Sequence, residues 1–399
     1  MIAPLQALAL FFREERGHFP VLTGIRGWAA LWVLIYHAWV MAGPRLIEIP
    51  LGIVELDLTP FFSIGWAGVP IFFVLSGFLL GLPFAEWQAG VRERPELGRY
   101  LFRRVMRVFP AYYVQLLVLL VIAYVVHGRS LIGNWPDAIR HSMMLFVPPP
   151  LGMMPANPVW WTLPIEFSFY LLLPFLAYLL RPHHWWRLLI VCMASMWVWR
   201  HGVVVWMADR SVSEKLVAAY QLPGSLDTFG LGMLGALLYV NRSRIPAWVL
   251  PRHGMTGMAV LGMTLVVATI YWMHAGYREY WSGSLIFYTW TPLFGLGVMS
   301  IILSAMLGCR FVQILFGNRY LVFAGVVSYS IYLWHAIVLS WLGETGVCGR
   351  GENYCLPLLL GMVVPLVLAI ASISYVVVER PFMNWRRRHS QQAHEQKPA

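Results

Sequence analysis

The sequence predicts an all-α polytopic membrane protein with about ten transmembrane helices. Of its 399 residues, 59% are hydrophobic and only 12% are charged, and the mean hydropathy is +0.65. A soluble domain of this length carries about twice that share of charge. Apolar runs long enough to cross a bilayer recur along the whole chain, separated by short polar loops. The composition therefore excludes an ordinary soluble globular protein.

The predicted transmembrane helices follow one another with little sequence between them. Each is a run of about 20 mainly apolar residues, which is the length that a helix needs to cross a bilayer. Tryptophan and tyrosine cluster at several of their ends, as they do in the aromatic belts of membrane interfaces. The ten runs are 23–42, 62–84, 106–126, 159–180, 185–206, 218–240, 255–274, 284–306, 320–342 and 356–378.

The basic residues predict the orientation of these helices. Most of the Lys and Arg outside the apolar runs fall in segments that lie in the cytoplasm if both termini do. By the positive-inside rule, this distribution predicts an N-in/C-in topology. It also accounts for the net charge of +11 without a nucleic-acid-binding face, so no nucleic acid is expected among the partners.

The chain is predicted to form one domain, because no linker rich in Ser, Pro and Gly leads to a soluble module. An integral membrane domain would cover 1–388, and a polar cytoplasmic tail would cover 389–399. The longest outer segment, 127–158, is rich in proline and hydrophobic enough to fold back onto the helices or to re-enter them.

The four cysteines show no metal-binding spacing, so no metal site is predicted. Cys348 and Cys355 share one loop on the predicted outer side. A disulfide between them is expected if that compartment is oxidising, and two unpaired thiols are the alternative.

The first transmembrane helix carries two costly polar side chains, Arg26 and His37. They are eleven residues apart, which places them on one helix face and roughly 16 Å apart along the axis. Ionisable residues inside a bilayer are expensive and point to a functional polar interior. A lone histidine is more simply explained by a hydrogen bond to a neighbouring helix. With Arg26 on the same face, we predict that His37 is catalytic.

Glu166 lies in the fourth predicted helix at a depth that matches His37. If that helix begins near Val159, Glu166 is about 10 Å below the outer edge of the membrane, and His37 is about 8 Å below it. A carboxylate beside an imidazole orients the ring and raises its basicity. We therefore predict that Glu166 belongs to the catalytic group. A structural ion pair between helices is the competing interpretation.

Arg103, Arg104 and Arg107 stand at the cytoplasmic entrance of the third predicted helix. Arg104 and Arg107 share a helix face, where two guanidinium groups can grip a phosphate or pyrophosphate. Taken alone, this cluster is explained equally well by the positive-inside rule and by contact with lipid headgroups.

Other polar or small residues within the apolar runs are candidates to line a site. Ser76, next to Gly77, permits close packing of helices or close approach of a ligand. Asp227 is either a second acid or a structural partner of an arginine. Tyr332 and His335 either line the site or bond between helices. Glu379, beside Arg380, is interpreted as half of an ion pair at a helix end.

Together these residues resemble the acyltransferase-3 family of integral membrane acyltransferases, which includes O-antigen, exopolysaccharide and peptidoglycan O-acetylases. The resemblance covers nearly the whole chain, and six motifs in the right order make it specific. The motifs are Arg26 with ten residues before His37, Phe72-Phe-Val-Leu-Ser-Gly-Phe, Arg104-x-x-Arg107 followed by Pro110, Trp161-Thr-Leu-x-x-Glu166-Phe, Ser328-Tyr-Ser-Ile-Tyr-Leu-Trp-His335, and Glu379-Arg380-Pro381.

The resemblance implies transfer of an acyl group, usually acetyl, to a hydroxyl of a cell-surface glycan such as a polysaccharide or lipopolysaccharide. The donor would be cytoplasmic acyl-CoA, acting as a co-substrate with no bound cofactor. His37 would be the catalytic histidine and Arg26 its motif partner, while Arg104 and Arg107 match the basic motif linked to donor binding. Whether His37 acts as a base or carries the acyl group is left open.

The resemblance also implies a multi-pass protein of the bacterial inner membrane. The expected partners are membrane lipids, acyl-CoA and a glycan or glycolipid acceptor. Many members carry an additional C-terminal soluble domain, which this sequence does not show before Ala399. Either a separate periplasmic partner is expected to supply that step, or no such step is required.

A transporter of an acylated or unmodified polysaccharide precursor is the alternative function from another class. Buried charges and interrupted helices also occur in secondary transporters. Those proteins commonly show an internal repeat, and none is evident in this sequence.

Overall fold

The structure is a computed structural model that describes residues 19–52, 54–128, 130–146, 155–244 and 251–384. Within these ranges the chain is almost entirely helical, with a single two-stranded sheet. The predicted all-α class is therefore confirmed. The predicted polar tail at 389–399 lies outside the described residues.

The helices occur in the order that the apolar runs predict. The α-helices are α1 (Pro20–Ala42), α2 (Thr59–Ser63), α3 (Gly68–Gln88), α4 (Leu97–Val125), α5 (Trp135–Ser142), α6 (Leu163–Leu176), α7 (Trp185–Trp206), α8 (Val212–Ala219), α9 (Leu222–Val240), α10 (Arg252–Ala275), α11 (Tyr277–Tyr280), α12 (Leu285–Met306), α13 (Arg310–Phe316), α14 (Arg319–Val326), α15 (Ser328–Glu344) and α16 (Cys355–Ser374). The 3₁₀ segments are Gly65–Ala67, Pro158–Thr162, Ala177–Leu179 and Arg242–Arg244, and a π-helical turn, Tyr375–Glu379, continues α16. The antiparallel strands β1 (Glu48–Leu51) and β2 (Val54–Asp57) lie between α1 and α2.

Eight helices in the described ranges are long and apolar enough to cross a membrane, namely α1, α3, α4, α6, α7, α10, α12 and α16 with their 3₁₀ and π extensions. The pair α14 and α15 makes a ninth if it is counted as one span. The predicted total of about ten and the N-in/C-in orientation remain predictions.

The sixth predicted span corresponds to α9, which is not among these eight. Asp227, Thr228 and several glycines reduce the hydropathy of this helix. Every residue from Gly224 to Leu237 is buried, so α9 is surrounded by protein rather than by lipid. Protein neighbours can satisfy polar groups that lipid cannot, which explains why a helix of this composition is tolerated there.

The ninth predicted span is not continuous, because α14 and α15 meet at an angle of 77°. α14 packs against the beginning of α1 with the two backbones in contact. A Cβ added at Gly325 would lie 1.8 Å from the Thr23 carbonyl oxygen, and one at Gly27 would lie 2.1 Å from the Leu321 carbonyl oxygen. These glycines permit the close approach, and the chain bends so that α15 can then run alongside α1.

α3 and α9 pack equally closely through a second pair of glycines. A Cβ at Gly77 would lie 2.1 Å from the Phe229 carbonyl oxygen, and one at Gly232 would lie 2.0 Å from the Val74 carbonyl oxygen. Gly77 therefore serves helix packing, which was one of the two roles predicted for the small residues of this segment.

The outer helices are apolar on the side that faces away from the core. Leu117 in α4, Val198 in α7 and Leu261 in α10 are 61%, 74% and 68% exposed. Lipid chains are as apolar as these side chains, so such surfaces suit contact with a bilayer.

Polar segments cover the end of α1 beyond His37. Cys348 and Cys355 are joined by a disulfide, and the Gly351 N–H in the same loop donates to the Ala42 carbonyl oxygen at 2.7 Å. In the adjacent hairpin, hydrogen bonds from Thr59 hold the pKa of Asp57 below its usual value. The hydrogen bond from Gly351 to Ala42 attaches the disulfide loop directly to the C-terminal end of α1.

Candidate active site

A cavity of about 100 Å³ lies between α1, α3, α4, α6 and α15. Six residues that the sequence singled out line it together. The polar lining consists of Arg26, Ser76, Arg104, Arg107, Thr162, Glu166, Tyr170, Ser328, Tyr329 and Tyr332. Side chains from five separate helices thus converge on one polar space inside an apolar bundle.

Three guanidinium groups dominate this cavity. Within the described residues, Arg26 and Arg107 make no hydrogen bond or salt bridge. The Nε of Arg104 is buried without a hydrogen-bond partner, and its guanidinium lies 6.0 Å from the centre of the Tyr170 ring. Buried donors without partners are costly. An anion with several acceptor oxygens would satisfy them, because guanidinium groups bind phosphate through paired hydrogen bonds.

Glu166 lies in the first turn of α6, among these arginines. It accepts a hydrogen bond from the Tyr170 hydroxyl one turn later, at 3.0 Å. Arg26, Arg107 and Arg104 all act on it electrostatically.

Glu379 is a second carboxylate close to the same arginines. It ends the π-helical turn after α16 and is only 2% exposed. Ser330 donates a hydrogen bond to it, and Arg107 and Arg26 act on it electrostatically. Its interpretation as half of a helix-end ion pair is thus incomplete, because Glu379 faces the interior of the bundle. Isolated π-turns are frequent at functional sites.

His37 lies at the other end of the polar face of α1 and pairs with His335 of α15. The Nδ1 of His37 is 2.9 Å from the Val33 carbonyl oxygen and 3.2 Å from the Nε2 of His335. The Nδ1 of His335 is 3.1 Å from the Ile331 carbonyl oxygen. His335 is fully buried, whereas His37 is partly exposed.

Tyr332 separates the histidine pair from the cavity. Its hydroxyl donates to the Val159 carbonyl oxygen at 2.8 Å and accepts from Thr162 at 3.0 Å. Its ring centre is 5.8 Å from that of His335, and the same side chain lines the cavity. The two polar regions are therefore neighbours on one side of α15.

The structure does not bring Glu166 to His37, contrary to the predicted matching depth. Glu166 lies with the arginines, and His37 does not line their cavity. The chain before α6 enters the bundle instead of starting at its edge, because the buried Asn157 donates to the Leu333 carbonyl oxygen at 3.2 Å. Val159 is consequently already at the level of Tyr332, and Glu166 lies roughly 10 Å further in.

The sequence model of the Acyl_transf_3 family, described as an acyltransferase domain, matches residues 19–376. The chain belongs to this acyltransferase family. It is similar to the peptidoglycan O-acetyltransferase OatA of Listeria monocytogenes, with 24% identity over 82% of this chain and 50% of that protein. It is also similar to the acyltransferase MdmB of Streptomyces mycarofaciens, with 24% identity over 91% of each chain. No solved structure matches the chain.

Family membership and the apolar helices together make this chain a multi-pass membrane acyltransferase. It spans about half the length of OatA. In the described ranges, no group of three or more His, Cys, Asp and Glu side chains is arranged to hold a metal ion.

Besides the histidine pair, two predicted site residues, Arg103 and Asp227, lie outside the cavity. Arg103 is exposed and does not line the cavity, unlike Arg104 and Arg107. Asp227 is buried in α9, where it accepts a hydrogen bond from Thr291 at 2.5 Å and interacts electrostatically with Arg200. Of the two roles considered for Asp227, the structure favours that of a partner for an arginine.

Arg200 is a functional or structural side chain that sequence reasoning missed. It is fully buried, and it donates to the Gly224 and Phe287 carbonyl oxygens at 3.1 and 2.7 Å. Arg200 stands near the end of an apolar run, where an arginine is ordinarily explained as a loop charge. Asp227, an unexplained acid in another run, was the signal that a buried cation was required.

Proposed function

We propose that this acyltransferase moves an acetyl group from acetyl-CoA to a hydroxyl of a cell-surface glycan. The observation that carries the proposal is the arrangement along one face of α1. At one end lie three guanidinium groups that make no hydrogen bond or salt bridge with the described residues, and roughly 16 Å away along the helix lies a partly exposed histidine. A CoA thioester is complementary to this arrangement, since it carries anionic phosphates at one end and a reactive carbonyl at the other.

The donor would be held by its pyrophosphate at Arg26, Arg104 and Arg107. Two carboxylates, Glu166 and Glu379, oppose these three cations, which leaves the site with net positive charge. The carboxylates keep the arginines oriented while an anion remains attractive to them. The pantetheine arm would extend past Tyr332 towards His37.

His37 would act as the general base in the transfer. The acceptor hydroxyl oxygen attacks the thioester carbonyl carbon as His37 takes the hydroxyl proton, and the carbon–sulfur bond then breaks. The proton passes from His37 to the departing sulfur. The products are the O-acetyl ester and CoA with a free thiol. Such proton transfer contributes about 10²- to 10⁴-fold to a rate.

A glycan acceptor is supported by the name of one relative, a peptidoglycan O-acetyltransferase. With the predicted N-in/C-in topology, the guanidinium cavity is nearer the cytoplasm and His37 is nearer the outer face of the bacterial inner membrane. That orientation would connect a cytoplasmic donor with a periplasmic acceptor across one protein. A separate periplasmic protein that delivers or receives the glycan fits the same scheme.

The experiment compares membranes that contain wild-type protein with membranes that contain His37→Ala. Both are incubated with radiolabelled acetyl-CoA and the cell's own surface glycans. Wild-type membranes should transfer label to the glycan fraction, and His37→Ala at equal expression should lose about two to four orders of magnitude of rate. An exporter would move glycan without labelling it. Equal labelling of glycan by the two membranes would show that His37 is not the general base.

A further inference from the structure

We infer that His335 is a positioning residue that fixes the tautomer and orientation of His37 for catalysis. The inference rests on the proposed function, since it assumes that His37 is the base. It assigns to His335 the task of leaving one particular ring nitrogen of His37, Nε2, free to accept the proton.

The backbone carbonyls determine where the protons of the two rings lie. A carbonyl oxygen only accepts hydrogen bonds, so a ring nitrogen at bonding distance from one must carry a hydrogen. Nδ1 of His37 faces Val33 O at 2.9 Å, and Nδ1 of His335 faces Ile331 O at 3.1 Å. Both neutral rings therefore carry their hydrogen on Nδ1.

The donor and the acceptor in the contact between the two rings are then determined. Nε2 of His335 has a lone pair, and it accepts from the Nδ1–H of His37 at 3.2 Å. That N–H is shared between Val33 O and His335, which holds the imidazole of His37 from two sides. The remaining nitrogen of His37, Nε2, carries the lone pair that the reaction needs.

Burial explains why His335 orients His37 without taking the proton itself. His335 is 0% exposed, and its ring packs beside Tyr332. A cationic ring at that position would be buried with no carboxylate bonded to it among the described residues, which is costly. When His37 is protonated during transfer, the charge stays on the partly exposed ring. The neutral His335 stabilises it through a hydrogen bond to a charged donor, which is stronger than one between neutral groups.

The test compares two substitutions at His335 with one at a matched histidine. His335→Gln keeps an acceptor at about the position of the ring Nε2, whereas His335→Leu fills the space and removes it. His141 is the control, because it is 1% exposed and its Nδ1 also bonds a carbonyl oxygen one turn earlier, that of Asp137 at 2.8 Å. For each variant, kcat and KM for acetyl-CoA are measured in membranes, and the Tm is measured in detergent.

We expect His335→Leu to lower kcat by about 10- to 100-fold, a part of the 10²–10⁴ that a general base contributes. KM for acetyl-CoA should stay near the wild-type value, because the donor's phosphates bind elsewhere. His335→Gln should recover most of kcat. His141→Leu should lower the Tm but leave kcat near the wild-type value.

The outcomes separate this inference from the proposed function. If wild-type membranes transfer no acetyl group, or if His37→Ala remains active, the proposed function fails and the role of His335 fails with it. If His37 is required but His335→Leu has normal kcat, only the positioning role is overturned. Equal losses in the Leu and Gln variants would also overturn it, since the acceptor atom would then be irrelevant.

Discussion

Arg104 and Arg107 face the cavity from successive turns of α4, whereas Arg103, immediately before Arg104, is exposed and does not line the cavity. This difference separates two roles that positive charge plays in membrane proteins. Topology depends only on charge near the membrane surface, so all three arginines contribute to it. Binding a pyrophosphate needs the planar guanidinium fork, which lysine does not provide. The two cavity arginines are therefore distinguishable from the third by experiment.

We expect the double change Arg104→Lys and Arg107→Lys to raise KM for acetyl-CoA. The lysines keep the charge but lose the paired hydrogen bonds, at about 1.5–3 kcal/mol for a bond to a charged group. Expression and membrane orientation should be unchanged. Arg103→Lys is the matched control and should have normal donor kinetics. Normal kinetics in the double variant would show that the phosphates are held elsewhere.

A second prediction for single residues concerns the stability of variants at Arg200 and Asp227. Each has one buried polar atom without a hydrogen bond in the described chain, Nη2 of Arg200 and Oδ1 of Asp227. Arg200→Met would leave Asp227 as an uncompensated buried charge, which destabilises a protein by about 3–5 kcal/mol. The double variant Arg200→Met and Asp227→Leu should be more stable than the single one. Thermal unfolding in detergent measures both, and a less stable double variant would contradict the pairing.

The residues of the cavity were largely predictable, but their grouping was not. The sequence alone shows four of them, because each is a charged residue in or beside an apolar run: Arg26, Arg104, Arg107 and Glu166. The pairing of His37 with His335 joins helices almost 300 residues apart, and nothing in the sequence specifies it. Hydropathy also gives no sign that Asn157 is buried, which is why the depth of Glu166 was misjudged.

At the scale of helices, glycines determine which pairs touch. α3 and α9 meet through Gly77 and Gly232, and this contact positions the helix that carries Ser76. The bend between α14 and α15 has the same origin in Gly27 and Gly325. Most predicted span boundaries agree with the helix ends to within a few residues because they follow hydropathy, but α4 begins at Leu97, well before the predicted start at 106. The bend was missed because it follows from a contact with another helix.

Gly232→Ala should therefore lower the Tm of the protein. The added methyl group would lie 2.0 Å from the Val74 carbonyl oxygen, so α3 and α9 would have to separate. Overpacking of this kind costs about 1–3 kcal/mol. Gly361→Ala is the control, since a Cβ there meets nothing within 4 Å and alanine favours a helix. An equal Tm in both variants would show that the close contact is not needed.

For the whole molecule, the polar groups lie one after another along α1 inside an apolar bundle. The guanidinium cavity lies at one end of α1, the histidine pair lies further along it, and the disulfide loop is attached beyond its C-terminal end. The proposed reaction requires that these ends face opposite compartments. Reversal of the orientation would place the guanidinium groups on the side that contains no acyl-CoA.

The disulfide loop provides a direct measurement of that orientation. With the predicted N-in/C-in topology, Cys348 and Cys355 face the periplasm. After mild reduction of intact spheroplasts, a membrane-impermeant maleimide should label them, while Cys192 and Cys309 are buried and contribute no background. The variant with both loop cysteines changed to serine should not be labelled. Labelling that requires lysis would place the loop in the cytoplasm, and the guanidinium cavity would then open on the side opposite to its donor.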